Sequence, residues 1–151
     1  MAPMEIKGFF GEHRWLSNFW ITPVEYEGIM YPSVEHAYQA AKTFDPNWRE
    51  IVSRAETPKK AKYYGYRVPK REDWESVKLQ IMEALVLNKF LRNEELKVRL
   101  ILTGTGLLEE TNSWGDTFWG VCNGVGENHL GKILMKVRES FSSSVGRASG
   151  S

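Results

Sequence analysis

The stretch Pro32-Ser33-Val34-Glu35-His36-Ala37-Tyr38-Gln39-Ala40-Ala41-Lys42 decides how this chain folds. Ser33 can cap a helix, because its hydroxyl accepts hydrogen bonds from the free N–H groups of the first turn. Helical spacing then brings a carboxylate, a phenol, an amide and an ammonium to one face, with small alanines elsewhere that allow close packing. These four side chains are Glu35, Tyr38, Gln39 and Lys42. The stretch therefore predicts a deeply packed helix that carries a candidate site.

An ordinary interpretation of the same helix stays open. A carboxylate near a helix N-terminus is favoured by the helix dipole, and charged helical side chains are usually solvated. Under that interpretation Glu35 and Lys42 only belong to a surface helix.

Composition bounds the fold and the partners. The 151 residues, 42% hydrophobic and 13% aromatic, predict one folded domain over residues 1–141, and the Ser/Gly-rich segment 142–151 predicts a disordered tail. The 20 Lys and Arg against 19 Asp and Glu give a formal charge of +1, so any binding to nucleic acid must be local. The chain shows no apolar run typical of a membrane span or a leader peptide, so we expect no membrane contact.

The cysteine and histidine content argues against a metal site. Cys122 is single and cannot form an internal disulfide, and the three histidines are too far apart in sequence for zinc spacing. We therefore expect no metal, no cofactor and a reducing, cytoplasmic location.

Turn and capping signals predict a helix-rich α+β fold with a small antiparallel sheet. Strand patterns occur from Ile6 to Phe10, in a Val24 to Tyr31 hairpin that turns at Glu27-Gly28, and at residues 107–109. Helices are predicted from Ser33, from Asp45-Pro46 to Arg54, from Thr57-Pro58 to Gly65, from Asp73 to Arg92, from Asn93 to Thr103 and from Asn128 to Phe141.

Two further segments carry candidate binding residues. In the predicted loop from His13 to Trp20, Asn18 can hold a ligand's hydroxyls and Arg14 a phosphate; alternatively the loop is an aromatic latch in which Asn18 caps a turn. From Lys59 to Arg71, cations that include Lys62 and Arg67 alternate with tyrosines. This mixture suits phosphate contact with base stacking, but a solvated surface has the same composition.

A carboxylate flanked by indoles forms the third candidate segment. Asp116 lies between Trp114 and Trp119, and aromatic walls lower the local dielectric and offer flat faces for a base. Alternatively, both tryptophans belong to the core and Asp116 only caps a turn.

Six motifs in order make the chain resemble the NADAR domain family of YbiA-like N-glycosidases, from about Ile6 to Arg138. They are Leu16-Ser17-Asn18-Phe19, the Ser33 to Lys42 stretch, Asp73-Trp74 with Lys89-Phe90, Thr103-Gly104, Asp116-Thr117-Phe118-Trp119-Gly120, and Gly126 to Met135. Family members often carry Gly-Arg where this chain has Gly65-Tyr66.

The resemblance implies cleavage of the bond between ribose C1′ and a nitrogen. For YbiA-like members the substrates are ribosylamino-pyrimidine phosphates of riboflavin biosynthesis, and other members resemble hydrolases that remove ADP-ribose from guanine bases in DNA. A small phosphorylated N-riboside is slightly favoured over ADP-ribosylated guanine, with DNA as a candidate partner. The competing hypothesis is a module that binds ADP-ribose or a nucleotide without turnover.

N-glycosidic cleavage needs a carboxylate near C1′, a positioned water and a site without bulk solvent. Given the resemblance to the NADAR family, we expect Glu35 to position water or stabilise the ribose cation, and Asp116 to be the partner of Glu35. The expected substrate-binding residues are Asn18 and Tyr38 for sugar or base, Lys42 for phosphate, and Trp74 and Trp119 for base stacking.

Overall fold

The computed structural model describes the backbone of residues 4–150 and the side chains up to residue 142. The elements in chain order are β1 (Ile6–Lys7), a 3-10 helix (Gly11–Leu16), β2 (Val24–Tyr26), β3 (Ile29–Tyr31), α1 (Val34–Ala41), α2 (Pro46–Ser53), α3 (Pro58–Gly65), α4 (Trp74–Arg92), α5 (Glu94–Leu102), β4 (Leu108–Glu109), β5 (Thr111–Asn112), β6 (Val121–Cys122) and α6 (His129–Gly150). Helices dominate and the strands are short, so the α+β, helix-rich prediction is confirmed.

The chain divides into two compact units. We call Leu16–Asn93 the central unit, and Met1–Trp15 together with Glu94–Ser151 the split unit. The prediction of one domain over residues 1–141 stays a prediction.

The strands differ from the predicted single antiparallel sheet. Strands β2 and β3 form the expected antiparallel hairpin, and Glu27 and Gly28 turn it with φ of 46° and 84°, the left-handed pair that a two-residue hairpin turn requires. Within the described residues, the other strands pair in parallel, β1 with β4 and β5 with β6. Strands β1 and β4 are distant along the chain, and no parallel pair can be joined by a tight turn, so no local turn signal announces either pairing.

Helix α1 is buried along its whole length in the central unit, where it packs on α2, α3, α4 and the hairpin. The Ser33 hydroxyl accepts from the His36 backbone N–H at 3.1 Å, as the cap prediction requires. The His36 ring lies 2.7 Å from that hydroxyl through Nδ1 and 3.0 Å from the Ala55 carbonyl through Nε2. Because a carbonyl only accepts, Nε2 carries the proton, and burial lowers the pKa of His36, which keeps the ring neutral.

Helices α2 and α3 begin as their capping residues indicate. Asp45 accepts from the backbone N–H of Asn47 at 2.8 Å at the start of α2, and Thr57 accepts from that of Lys60 at 3.0 Å at the start of α3. Helix α4 buries Ile81 and Leu85 as predicted.

The split unit packs α6 on α5 and β4. The Asn128 side chain donates to the Leu108 carbonyl at 3.0 Å and accepts from the Glu110 N–H at 2.9 Å, which ties the start of α6 to β4. A core of leucines and branched residues lies between these elements. It includes Leu96, Leu100, Leu108, Leu130, Ile133, Leu134 and Val137.

Three predicted boundaries are wrong. Strand β1, predicted from Ile6 to Phe10, ends at Lys7. A 3-10 helix occupies Gly11–Leu16, where the sequence predicted a loop from His13. The short-range turns of a 3-10 helix pair the backbone N–H and carbonyl groups of this segment. Helix α6 continues to Gly150 beyond the predicted end at Phe141. The side chains from residue 143 onward lie outside the described residues, as does Ser151, so the predicted disorder of residues 142–151 stays a prediction. None of the helices in the described part is both long and apolar enough to cross a membrane.

A lysine lies on the buried face of α4. Lys89 is 1% exposed, and its ammonium donates to the Ser17 backbone carbonyl at 3.0 Å. Burial lowers the pKa of Lys89 to about 7. The side chain is therefore poised between its charged and neutral forms near neutral pH.

Replacing Ile81 tests the packing face of α4. Ile81→Ala should lower the free energy of unfolding by about 2–5 kcal/mol, since it removes buried methyl groups and leaves a cavity. Urea unfolding measures the change, and Leu79→Ala, at a 41% exposed position of the same helix, should shift it by less than about 0.5 kcal/mol. Equal, small losses from both variants would show that this face has been misassigned.

Replacing Lys89 tests its burial through the pH dependence of stability. The folded pKa of Lys89, about 7, lies below the ordinary lysine value of 10.5, so the unfolded chain binds more protons between these two pH values. This one residue should therefore make the free energy of unfolding rise with pH across that window, by at most about 1.4 kcal/mol per pH unit. Lys89→Met should remove this contribution. Parallel stability curves for Lys89→Met and the parent from pH 7 to 10 would contradict the assignment.

Candidate active site

The polar face of α1 carries a buried carboxylate held by an amide. Glu35 is 8% exposed, and the Gln39 side-chain amide, one turn later, donates to Glu35 Oε1 at 2.7 Å. This bond holds the carboxylate within the fold in one orientation. The interpretation of α1 as a solvated surface helix is therefore wrong, because even its charged residue is removed from water.

The Ser17-Asn18 segment supports the start of α1. The Asn18 carbonyl accepts from the Glu35 backbone N–H at 3.1 Å, and the Asn18 side-chain amide reaches Met82 Sδ at 3.5 Å. Lys89 holds the neighbouring Ser17 carbonyl. The predicted binding residue Asn18 is thus next to Glu35. Lys89, which the sequence indicated only as part of the Lys89-Phe90 motif, supports this segment. Its position on the apolar stripe of α4 was the available signal.

An aromatic pair adjoins the carboxylate on α1. Tyr38 and Trp74 are both buried, and their ring centroids lie 5.1 Å apart at an interplanar angle of 57°. Tyr38 and Trp74 were both predicted to contact substrate. Trp74 is only 3% exposed, so most of its surface already packs against protein.

Several ammonium groups surround the end of α1. Lys42 is half-buried, with Nζ 5.6 Å from the ring centroid of Tyr38 and 5.8 Å from that of Tyr66. Burial lowers the pKa of Lys42; the positive charges of three neighbouring lysines lower it further, and the Glu35 carboxylate opposes them. Those neighbours are Lys70, Lys62 and Lys78. An anion that approaches Lys42 would relieve this repulsion.

The neighbouring cations differ in how they are held. Lys70 and Lys78 both pair with Glu75, at 3.5 and 2.6 Å. Lys78 follows Trp74 by four residues on α4, a spacing that could have identified it from sequence. Arg67, also predicted for phosphate contact, is exposed and donates to the Tyr63 hydroxyl at 2.9 Å.

In the split unit, Asp116 caps a turn. Its Oδ1 accepts from the backbone N–H groups of Phe118 at 3.1 Å and Trp119 at 2.9 Å. The Asn112 side chain brackets the same residue, accepting from the Asp116 N–H at 3.0 Å and donating to the Asp116 carbonyl at 2.8 Å. The capping interpretation is therefore confirmed as one role of this half-buried carboxylate.

The two flanking tryptophans differ. Trp119 is half-buried and meets Phe118 edge to face with centroids 4.9 Å apart. Trp114 is 65% exposed, so the alternative that placed both tryptophans in the core is wrong for this residue. The glycine at 115, with φ of 85°, turns the chain between them.

The structure groups one set of predicted residues in the central unit and describes the others in the split unit. Glu35, Tyr38, Lys42 and Trp74 lie together, with Asn18 at the start of α1 and Lys62 within electrostatic range of Lys42. Asp116 and Trp119 belong to the split unit, as does Arg14, which is exposed on the 3-10 helix.

Comparisons with known proteins identify the family of the chain. A family model for the NADAR domain matches residues 8–142. N-glycosidase YbiA of Shigella flexneri serotype 5b (strain 8401) is 39% identical over 126 residues, which are 82% of this chain and 78% of that protein. Riboflavin biosynthesis protein VVA0006 of Vibrio vulnificus (strain YJ016) is 40% identical over 130 residues, which are 84% of this chain and 35% of that protein.

A solved structure confirms the fold. The NMR structure of the E. coli protein YbiA matches with a TM-score of 0.85 and 33% sequence identity, covering 95% of this chain and 88% of that chain. The family model, the relatives and the solved structure all indicate the same family. The chain belongs to the NADAR domain family and is a hydrolase acting on N-glycosyl bonds.

Proposed function

We propose that this chain hydrolyses the ribose C1′–N bond of a small phosphorylated N-riboside, such as a ribosylamino-pyrimidine phosphate. The observation that carries the proposal is the pairing, on one helix, of the buried and oriented Glu35 carboxylate with Lys42 at the other end. A ribose phosphate has a matching arrangement, with the phosphate anion at one end and the reacting carbon C1′ at the other.

The chemistry explains why a buried carboxylate is needed. The C1′–N bond breaks with its electron pair going to nitrogen, and positive charge develops on the ribose ring. The Glu35 carboxylate stabilises that charge or orients the attacking water. The water oxygen then bonds to C1′, and one of the water protons ends on the departing nitrogen. Because Glu35 is removed from bulk solvent, its charge acts in a low dielectric.

The cations and aromatic rings supply binding. Lys42 serves as a point charge for phosphate, and Lys62 adds to the positive field. Tyr38 contacts the sugar or base. Asn18, next to Glu35, forms hydrogen bonds with ribose hydroxyls through its side-chain amide. In a module that only binds nucleotides, a buried carboxylate would repel the phosphate, so the enzyme is favoured over the non-catalytic module.

Roles in the split unit follow from the sequence resemblance. Asp116 is proposed as a second functional carboxylate, Trp119 as a stacking surface for the base, and Arg14 as a phosphate contact. The cap that Asp116 forms is compatible with this, since a carboxylate keeps further acceptor capacity when one oxygen accepts two N–H groups.

The substrate class rests on two observations. VVA0006 is named a riboflavin biosynthesis protein, and the formal charge of +1 gives no general attraction to DNA. The alternative, release of ADP-ribose from guanine in DNA, is supported by exposed tyrosines beside cations on α3. Tyr66 is 75% exposed, and Lys60 Nζ lies 4.6 Å from the ring centroid of Tyr63.

Removing charge while keeping shape tests the carboxylates. Glu35→Gln and Asp116→Asn should each lower kcat by roughly a hundredfold to a thousandfold, the loss typical of one transition-state charge partner. Asn at 116 retains an oxygen for the cap, so the melting temperature should hold. Base release followed by mass spectrometry gives kcat, and Glu50→Gln, an exposed carboxylate on α2, is the control. Full activity in either variant removes that residue from the catalytic assignment.

The substrate class is tested by comparing two substrates at rising salt. A ribosylamino-pyrimidine phosphate should release free base, with at most weak release from ADP-ribosylated DNA. If DNA is cleaved instead, its binding should weaken steeply with salt because neutralised phosphates release counterions, and the variant Lys59→Ala, Lys62→Ala, Arg67→Ala should flatten the slope. Efficient DNA cleavage without turnover of the pyrimidine compound would overturn the preferred substrate. Binding of either compound without release of base would overturn the enzyme proposal.

A further inference from the structure

Gln39 has an amide whose two ends are in very different environments. Its Nε2 donates to Glu35 Oε1 at 2.7 Å, but Oε1 is buried and has no hydrogen-bond partner among the described residues. The opposite amide orientation would place the Gln39 oxygen against the Glu35 carboxylate, which an ionised carboxylate disfavours. The carboxylate therefore sets the orientation, and an unsatisfied buried acceptor is the cost.

The unsatisfied oxygen lies against Gly65. A Cβ at position 65 would come within 1.8 Å of Gln39 Oε1 and 2.6 Å of its Cδ. Gly65 is buried at the end of α3, and its φ lies outside the left-handed range, so the backbone does not require glycine there. Glycine destabilises a helix relative to alanine. The missing side chain is explained by the space that the amide occupies.

We propose that Gln39 is a positioning residue for Glu35 and that Gly65 exists to make room for it. Helix α3 packs directly on α1, and the absence of a side chain at Gly65 leaves the amide the space that it occupies beside Glu35. The amide N–H favours the ionised carboxylate and keeps one of its oxygens in place for the reaction. This inference rests on the proposed catalytic role of Glu35 and adds a reason for the tight α1–α3 packing.

Three substitutions separate this role from ordinary packing. Gln39→Met keeps the length and removes the donor. Gly65→Ala pushes a methyl group into the amide. Ala61→Gly, at a buried position of the same helix α3, perturbs α3 but adds no atom that could displace the amide, and it is the matched control. The readouts are kcat and KM for a ribosylamino-pyrimidine phosphate, the pH profile of kcat, and the titration of the Glu35 carboxyl carbon followed by NMR.

Gln39→Met should lower kcat roughly tenfold to a hundredfold, as expected for loss of a hydrogen bond to a charged group, and change KM by less than about threefold. The acidic limb of the pH profile and the NMR titration midpoint of Glu35 should both move to higher pH. Gly65→Ala should act in the same direction, and the double variant should be no worse than Gln39→Met alone, because both remove one interaction. Ala61→Gly should lower only the melting temperature.

A folded Gln39→Met variant with an unchanged pH profile and an unchanged Glu35 titration would overturn the inference, as would additive losses in the double variant. Should Gly65→Ala not fold, Gln39→Met carries the test by itself. Glu35→Gln in the same assay distinguishes the two proposals. If it is fully active, the catalytic role of Glu35 is wrong, and the NMR titration, which needs no turnover, still decides whether Gln39 controls the carboxylate.

Discussion

The burial of α1 is the constraint on which the rest of the central unit depends. A helix that buries all eight of its residues, including a carboxylate, an imidazole and an amide, is stable only if those polar groups find partners inside the protein. Gln39 and Glu35 pair with each other within the helix, and three other segments support it. Asn18 holds the start of the helix, Ala55 holds His36, and Gly65 leaves room for Gln39. The arrangement of the surrounding loops and helices is therefore tied to the polar groups of one short helix.

The same burial gives the site its electrostatic character. Glu35 and Lys42 lie close enough on α1 to interact, and further lysines repel Lys42 while the carboxylate attracts it. Burying a carboxylate costs free energy of desolvation unless a positive charge lies nearby. The mutual repulsion of several ammonium groups is likewise unfavourable unless an anion binds among them. The proposed substrate, a phosphorylated riboside that develops positive charge at C1′, would meet both requirements. Under this proposal the site is complementary to the charges of the transition state.

Local signals in the sequence predicted much of the fold. Capping residues and helix-starting prolines act within one turn, so the starts of α1, α2 and α3 could be read from Ser33, Asp45-Pro46 and Thr57-Pro58. The parallel pair of Ile6 with Leu108 could not, because it joins distant parts of the chain and no turn connects them. Residues grouped on one helix face, such as Glu35, Tyr38 and Lys42, were predictable from period alone. The burial of Lys89, the exposure of Trp114 and the fit of Gln39 against Gly65 depend on tertiary contacts.

The most direct measurement is a crystal structure of the Glu35→Gln variant with a ribosylamino-pyrimidine phosphate bound. We expect C1′ beside the carboxamide at position 35, within about 4 Å, with the phosphate at the Lys42 ammonium and the base or sugar against Tyr38. We also expect an intact C1′–N bond in this variant. A substrate whose phosphate contacts Lys42 but whose C1′ lies far from residue 35, or one bound away from α1 altogether, would contradict the assignment of this helix as the centre of the reaction.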